Sequence, residues 1–300
     1  MKKEKGFLYW LIIKETFVEF DKDNATKLSA ALAYYTIFSI APMLVVIISL
    51  CGIFLGQQAV SGELFEQIRT YVGDAAALQI QSMIGSIAFN KGSVIASIVG
   101  IITMLIGATG VFTEIQDSLN LMWGVRVKKR IGILNVLINR SLAFIIVLGM
   151  GLVLLLSLFI SGLITGFAHT IQRILPWFPL NLVDIANTSI IITILTALFI
   201  VIYKVLPDAK ISFRDSLVGS IFTTILFLIG KWGITFYLGW LTVNSTYGAA
   251  ASLVIILLWV YYSAIIFYFG AEFTHVYAIH AGSGVKAKAH AVLIKEKELN

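Results

Sequence analysis

Six long apolar runs separated by polar connections dominate the chain: residues 30–55, 93–112, 142–167, 185–205, 216–240 and 249–270. At about 1.5 Å per helical residue, each can cross a hydrocarbon core roughly 30 Å thick. The pattern predicts six transmembrane helices. The last run is the most sharply drawn, with no formal charge between residues 249 and 270. It opens on small residues (Gly248, Ala249, Ala250, Ala251, Ser252), where another helix backbone can approach closely. It ends at Glu272, a carboxylate where the helix leaves the lipid, with His275 three residues on and so on the same face.

The connections carry helical patterns of their own. In the N-terminal segment, residues 1–29, Phe7, Trp10, Leu11, Phe17 and Val18 recur at helical spacing with Lys14 and Glu15 opposite. This predicts an amphipathic helix, lying on the membrane face or packed on the protein's own loops. The basic start and apolar residues 7–13 resemble a leader peptide, but Lys14, Glu15, Glu19 and Asp21 follow in place of a small-residue cleavage site. Pro42, inside the first run, removes a backbone donor and predicts a kink, either a hinge or a fixed bend. Residues 57–91 show two short apolar stripes, Val60/Leu64/Ile68 and Ile80/Met83/Ile84/Ile87, which fit a helical outer loop. The second run (Gly100, Gly107, Gly110) and the third (Gly149, Gly151, Gly162, Gly166) have the small residues of packed membrane helices. Residues 279–300 form a basic, polar tail expected to fray.

Composition agrees: 59% hydrophobic and 13% charged residues, with a mean hydropathy of +0.93, exclude a soluble domain. The single cysteine, Cys51, precludes an intramolecular disulfide. The net charge of +6 reads as topology rather than nucleic-acid binding. Of the 22 lysines and arginines, 18 fall in the N-terminal segment, the second and fourth connections and the tail. Three (Arg69, Lys91, Arg173) fall on the other side, and Lys231 lies within a run. The positive-inside rule then puts both termini in the cytoplasm.

No nucleotide-binding loop, nucleophile motif or metal-ligand spacing is present in the sequence, and the four histidines are scattered. No enzyme and no cofactor is expected. The polar residues at the helix ends hold the candidate chemistry. Glu114, Asp117 and Asn120 fall at i, i+3 and i+6 on one face, and with Arg140 and Glu272 they reach the same membrane side. Two compatible readings stand: ion pairs of Arg140 with Glu114 or Glu272 that lock helix ends, or a polar mouth that binds a headgroup or a coupling proton. Lys231, beside Trp232, either snorkels to the outer interface or meets an anionic group along an amphiphile path. Glu114, Asp117, Asn120, Arg140, Lys231, Glu272 and His275 are therefore the substrate or coupling-ion candidates, and Pro42 the hinge candidate.

Three blocks carry a resemblance. The final run, YGAAASLVIILLWVYYSAIIFYFGAE, the opening LSAALAYYTIFSIAPML of the first and TEIQDSLNLMWGV after the second resemble the BrkB/YihY family of bacterial inner-membrane proteins. Together they span about Phe17 to Ala278 in the family's order. The resemblance implies a multi-pass inner-membrane protein concerned with envelope integrity or with export or flipping of lipid-like molecules. An older label of tRNA-processing ribonuclease finds no acidic metal cluster here. The expectation is an all-α six-helix domain, residues 30–278, that transports or flips an amphipathic, lipid-related substrate. The rivals are a non-transporting scaffold in envelope assembly and an ion channel. Membrane lipids are the expected partners, nucleic acid is not, and oligomer formation stays open.

Overall fold

The computed structural model describes residues 2–39, 65, 69, 77, 78, 81, 110–128, 181–240 and 251–294. Pro42, Arg140, the run at 142–167 and most of the 57–91 loop lie outside these residues. The described chain is mostly helical. In order come α1 (Lys2–Lys22), α2 (residues 25–39), α3 (residues 110–122), β1 (Val125–Val127), α4 (Asn181–Val205), β2 (Ala209–Lys210), α5 (Phe213–Trp240), α6 (Ala251–His280), β3 (Lys286–Ala287) and β4 (Ala291–Leu293). Among the described residues, three helices are long and apolar enough to cross a membrane, over Thr188–Val205, Phe213–Ile234 and Val254–His280. They match the last three predicted runs. The sixth helix, however, continues ten residues beyond the expected end, so Glu272 and His275 lie on a continuous helix.

Local chemistry sets the ends. Pro207 follows α4 by two residues and cannot extend it. Ser212 precedes α5, and its carbonyl accepts from Ser216 N at 3.1 Å. After α3 the chain turns through Gly124 at φ 57°, a left-handed conformation that L side chains rarely adopt.

The α5–α6 pair is the tightest seam. The helices run antiparallel, with Thr274 seated against Gly219 and Thr223 against Gly270. The missing side chains let the backbones close on one another, as small residues do between membrane helices. Phe222 stacks on Phe273 with centroids 3.8 Å apart. On the other flank of α5, α4 joins through Thr196 and Thr224 (Oγ1 to Oγ1, 3.1 Å) and through buried Tyr203. The Tyr203 hydroxyl donates to the Phe267 carbonyl at 2.8 Å and lies 3.1 Å from Thr223 Oγ1. No described residue covers one face of α5: Ile221, Ile225, Ile229 and Trp232 follow at helical spacing, and Trp232 is 82% exposed. In a membrane, this is a lipid-facing stripe.

The ends of α3, α4 and α6 and the start of α5 meet at one end of the bundle. There Leu119, Met122 and Trp123 of α3, Phe199 and Tyr203 of α4 and Phe267 and Tyr268 of α6 share one core. The Trp123 indole N–H donates to the Ala271 carbonyl at 3.4 Å.

The expected frayed tail is instead ordered as far as Ile294. Strand β4 pairs antiparallel with β1, and β3 with β2, so the tail stitches together two connections far apart in sequence. Backbone pairing with distant partners has no signature in the tail's own residues.

Helix α1 also differs from expectation in the face it buries. It packs on α6 through Ile12, which meets Phe273, Val276 and Tyr277 in one cluster, with Leu8 alongside. Phe7 and Trp10 stay 65% and 59% exposed, and Val18 is exposed as well. Phe17, also exposed, still reaches the ring of Phe269, with centroids 4.7 Å apart. The helix docks on the protein's own last span, and of the sequence's aromatic stripe Phe7 and Trp10 stay exposed while Phe17 reaches that span.

Candidate functional site

Two polar clusters form at this end of the bundle. The first is the seam between α1 and α6. Glu272 is wholly buried, no amide, hydroxyl or cationic group among the described residues donates to its carboxylate, and its hydrogen-bonding neighbour is the Asp23 carboxyl. The charged groups that bear on it are Asp23, Glu19 and Lys22, from the last turn of α1 and the residue after it. One turn further along α6, His275 has a buried, unbonded Nδ1 and feels Glu15 and Lys22. The seam closes with His280 Nε2 2.7 Å from Glu15 Oε2. Acidic side chains at 15, 19 and 23 thus follow one face of α1 and meet Glu272, His275 and His280 on α6. Burying a carboxylate without donors costs several kcal/mol in general.

The second cluster centres on Asp208, in the connection between α4 and α5. It is buried, and its Oδ2 accepts from Asn120 Nδ2 at 2.9 Å and from Gln116 Nε2 at 3.2 Å. Asn120 Oδ1 accepts the Asp208 backbone N–H at 2.8 Å, so one amide holds both the side chain and the main chain of the connection. The tail completes the shell. His290 Nε2 lies 2.7 Å from Asp208 Oδ1, and Lys288 N donates to the Asp208 carbonyl at 2.8 Å. Burial lowers the Lys288 ammonium below its ordinary value, and the Asp208 charge opposes that shift. Asp117 is exposed, yet desolvation and then the charge of Asp208 raise its carboxyl above the ordinary value. Glu114 is raised by burial first and by Asp117 second, against a lowering contact from the Ser118 hydroxyl.

The sequence candidates therefore divide. Asn120, with Asp117 beside it, belongs to the Asp208 cluster; Glu272 and His275 belong to the α1 seam. Glu114 accepts from the Ser118 hydroxyl at 3.5 Å, and its charge bears on Tyr268 of α6. Lys231 is half-buried far along α5 with no ion-pair partner among the described residues. Arg140 and Pro42 lie outside them.

A family model described as "Virulence factor BrkB" matches residues 16–293. The chain belongs to the virulence factor BrkB family. Curated relatives of this BrkB chain include the UPF0761 membrane protein of Pseudoalteromonas atlantica, 25% identical over 257 residues, covering 85% of this chain and 82% of the relative. The Cronobacter sakazakii protein is 28% identical (89% and 88% covered), and the Haemophilus influenzae protein 26% identical (90% and 93% covered). No solved structure matches. Together with its apolar helices, these relatives make the BrkB chain a bacterial integral membrane protein.

In this BrkB chain the sequence pattern had picked out Glu272, His275, Asn120 and Asp117 but missed Asp208, the hub of the second cluster. Its one local signal is an aspartate directly after Pro207, in a short connection. The acids of α1 were visible but read as a water-facing side.

Proposed function

We propose that this protein moves an amphipathic, lipid-related substrate across the bacterial inner membrane, with the α1–α6 seam as its coupling site. The observation that supports this reading is Glu272, buried without an amide, hydroxyl or cationic donor and facing the Asp23 carboxyl and other acids across the seam. An ionisable side chain within an apolar helix is expensive to keep, and such groups mark ion and substrate paths. Glu272 would take up and release the coupling proton, and His275 and Lys22 would adjust the local charge. Helix α1 is the element able to respond, because its contacts with α6 include every charged group of the seam. By the bias of lysine and arginine, this end of the bundle faces the cytoplasm and both termini lie inside. No enzymatic step and no cofactor form part of the proposal.

The test is lipid translocation in proteoliposomes, read with headgroup-labelled lipid and an impermeant quencher, with and without a pH gradient. Wild type is compared with Glu272→Gln, Glu114→Gln and Lys231→Met, each checked for folding. Protein-dependent flipping that Glu272→Gln abolishes and Lys231→Met preserves supports the seam as the coupling site. Absence of flipping for every lipid class tried would refute transport in favour of an envelope-assembly scaffold. Steady conductance in a planar bilayer would make the protein a channel.

A further inference from the structure

The β2–β3 ladder sets two lysines against each other. Its register places Lys210 directly opposite Lys286 on an antiparallel pair, so their side chains share one face, and both are exposed. Like charges in directly opposed positions destabilise a two-stranded ladder. No carboxylate among the described residues pairs with either lysine, although two acids lie close in sequence. Both acids point inward: Asp208 is held by Asn120, Gln116 and His290, and buried Asp215 accepts the Ser283 N–H at 2.9 Å. The fold buries the negative charges of this connection and leaves its positive ones outside.

The ladder's depth is also fixed. β2 lies in the connection between two candidate spans, one ending at Val205 and the next beginning at Phe213. A segment so close to two apolar ends sits at the level of lipid headgroups. The flanking residues suit that level: exposed Phe213 has the Lys204 ammonium 5.0 Å from its ring centroid, an apolar body with a charged tip.

We propose that the β2–β3 ladder binds the phosphate of an anionic phospholipid, with Lys210 and Lys286 closing on it from the two strands. An anion between the lysines turns the unfavourable pair into a favourable one, so the lipid fastens the tail strand to the bundle. This assignment does not depend on transport.

The test uses the full-length protein in nanodiscs of phosphatidylcholine with or without phosphatidylglycerol. Native mass spectrometry counts retained phosphatidylglycerol, and thermal unfolding reports its effect. Wild type should enrich phosphatidylglycerol and unfold at a higher temperature when it is present. Lys210→Gln with Lys286→Gln should lower retention about thirtyfold, given the usual attraction of each juxtamembrane lysine. Lys286→Glu, which creates an opposite-charge pair, should be at least as stable as wild type in phosphatidylcholine and gain nothing from phosphatidylglycerol. Glu272→Gln should retain the lipid like wild type, which separates this site from the coupling seam. Equal enrichment by the double variant, or a wild type indifferent to phosphatidylglycerol, would overturn the assignment. So would inorganic phosphate that reproduces the stability gain in phosphatidylcholine alone, since the lysines would then hold a soluble anion.

Discussion

The interlocked threonines and glycines of α5 and α6 allow a demanding test. A Cβ added at Gly219 would fall against Thr274 Oγ1, 2.7 Å from its Cβ and 2.9 Å from its Cγ2. At Gly270 the added atom would meet Thr223, 2.8 Å from both Cβ and Cγ2. Carbon atoms pack comfortably at about 3.5–4.0 Å, so either alanine must push the helices apart by about 1 Å. Overpacking of this kind costs about 1–3 kcal/mol. The same movement stretches the Tyr203–Phe267 hydrogen bond from 2.8 Å toward its geometric limit, with about 1 kcal/mol more at stake. Gly219→Ala and Gly270→Ala should therefore each destabilise by about 2–4 kcal/mol. Gly233→Ala is the control, since its added Cβ would lie 3.5 Å from the Tyr262 hydroxyl, an ordinary contact. It should be neutral or slightly stabilising, as alanine is the better helix former. Unfolding by denaturing detergent, followed by tryptophan fluorescence, measures all three. Combining Gly219→Ala with Thr274→Gly should restore clearance from the other side. If Gly219→Ala and Gly270→Ala unfold at the same point as Gly233→Ala, the seam is not closely interlocked and the reasoning fails.

Other perturbations reach the polar clusters. Asn120→Ala removes both hydrogen bonds to Asp208, at 2.9 Å and 2.8 Å, leaving its buried carboxylate to Gln116 and His290 and its backbone N–H without an acceptor. It should cost about 2–4 kcal/mol in the same unfolding assay. Gly282→Ala would put a Cβ 2.5 Å from Asp215 Oδ1 and 2.6 Å from Cγ, so hydrogen exchange at residues 283–293 should quicken without loss of the helices. For Glu114, whose carboxyl is raised from its ordinary 4.5 by burial and then by Asp117, the folded state holds the proton more tightly than the unfolded chain. Its contribution to stability is thus fully present below pH 4.5 and is lost as pH rises through the raised value. Glu114→Gln should flatten that part of the stability–pH curve, and an unchanged slope would show that Glu114 is not desolvated as described.

Much of this architecture was legible in the chain, for reasons that differ by element. Helices α4, α5 and α6 announce themselves because a span must be apolar along its whole length, whatever its neighbours. The end of α6 was less legible: hydropathy stops at Gly270, whereas the helix continues because α1 buries Phe273, Val276 and Tyr277. Helix α1 shows the limit most clearly. A periodic stripe of Phe7, Trp10 and Phe17 reveals two faces, but in a membrane protein either one can be the face that meets the rest of the chain. Glu272 stood out as a charge beside a long apolar run. Asp208 did not, because its worth lies in partners 82 to 92 residues away.

The two short ladders also impose an order on assembly. The strands that staple the α3–β1 turn and the α4–α5 connection leave the ribosome only after every helix they fasten has been made. Until then Asp208 lacks the shell supplied by His290 and Lys288, and the end of the bundle stays open. Closure of that end is a late event in biogenesis. A chain interrupted after α6 would leave Asp208 held by Asn120 and Gln116 alone and expose two loose connections to the membrane's quality-control proteases.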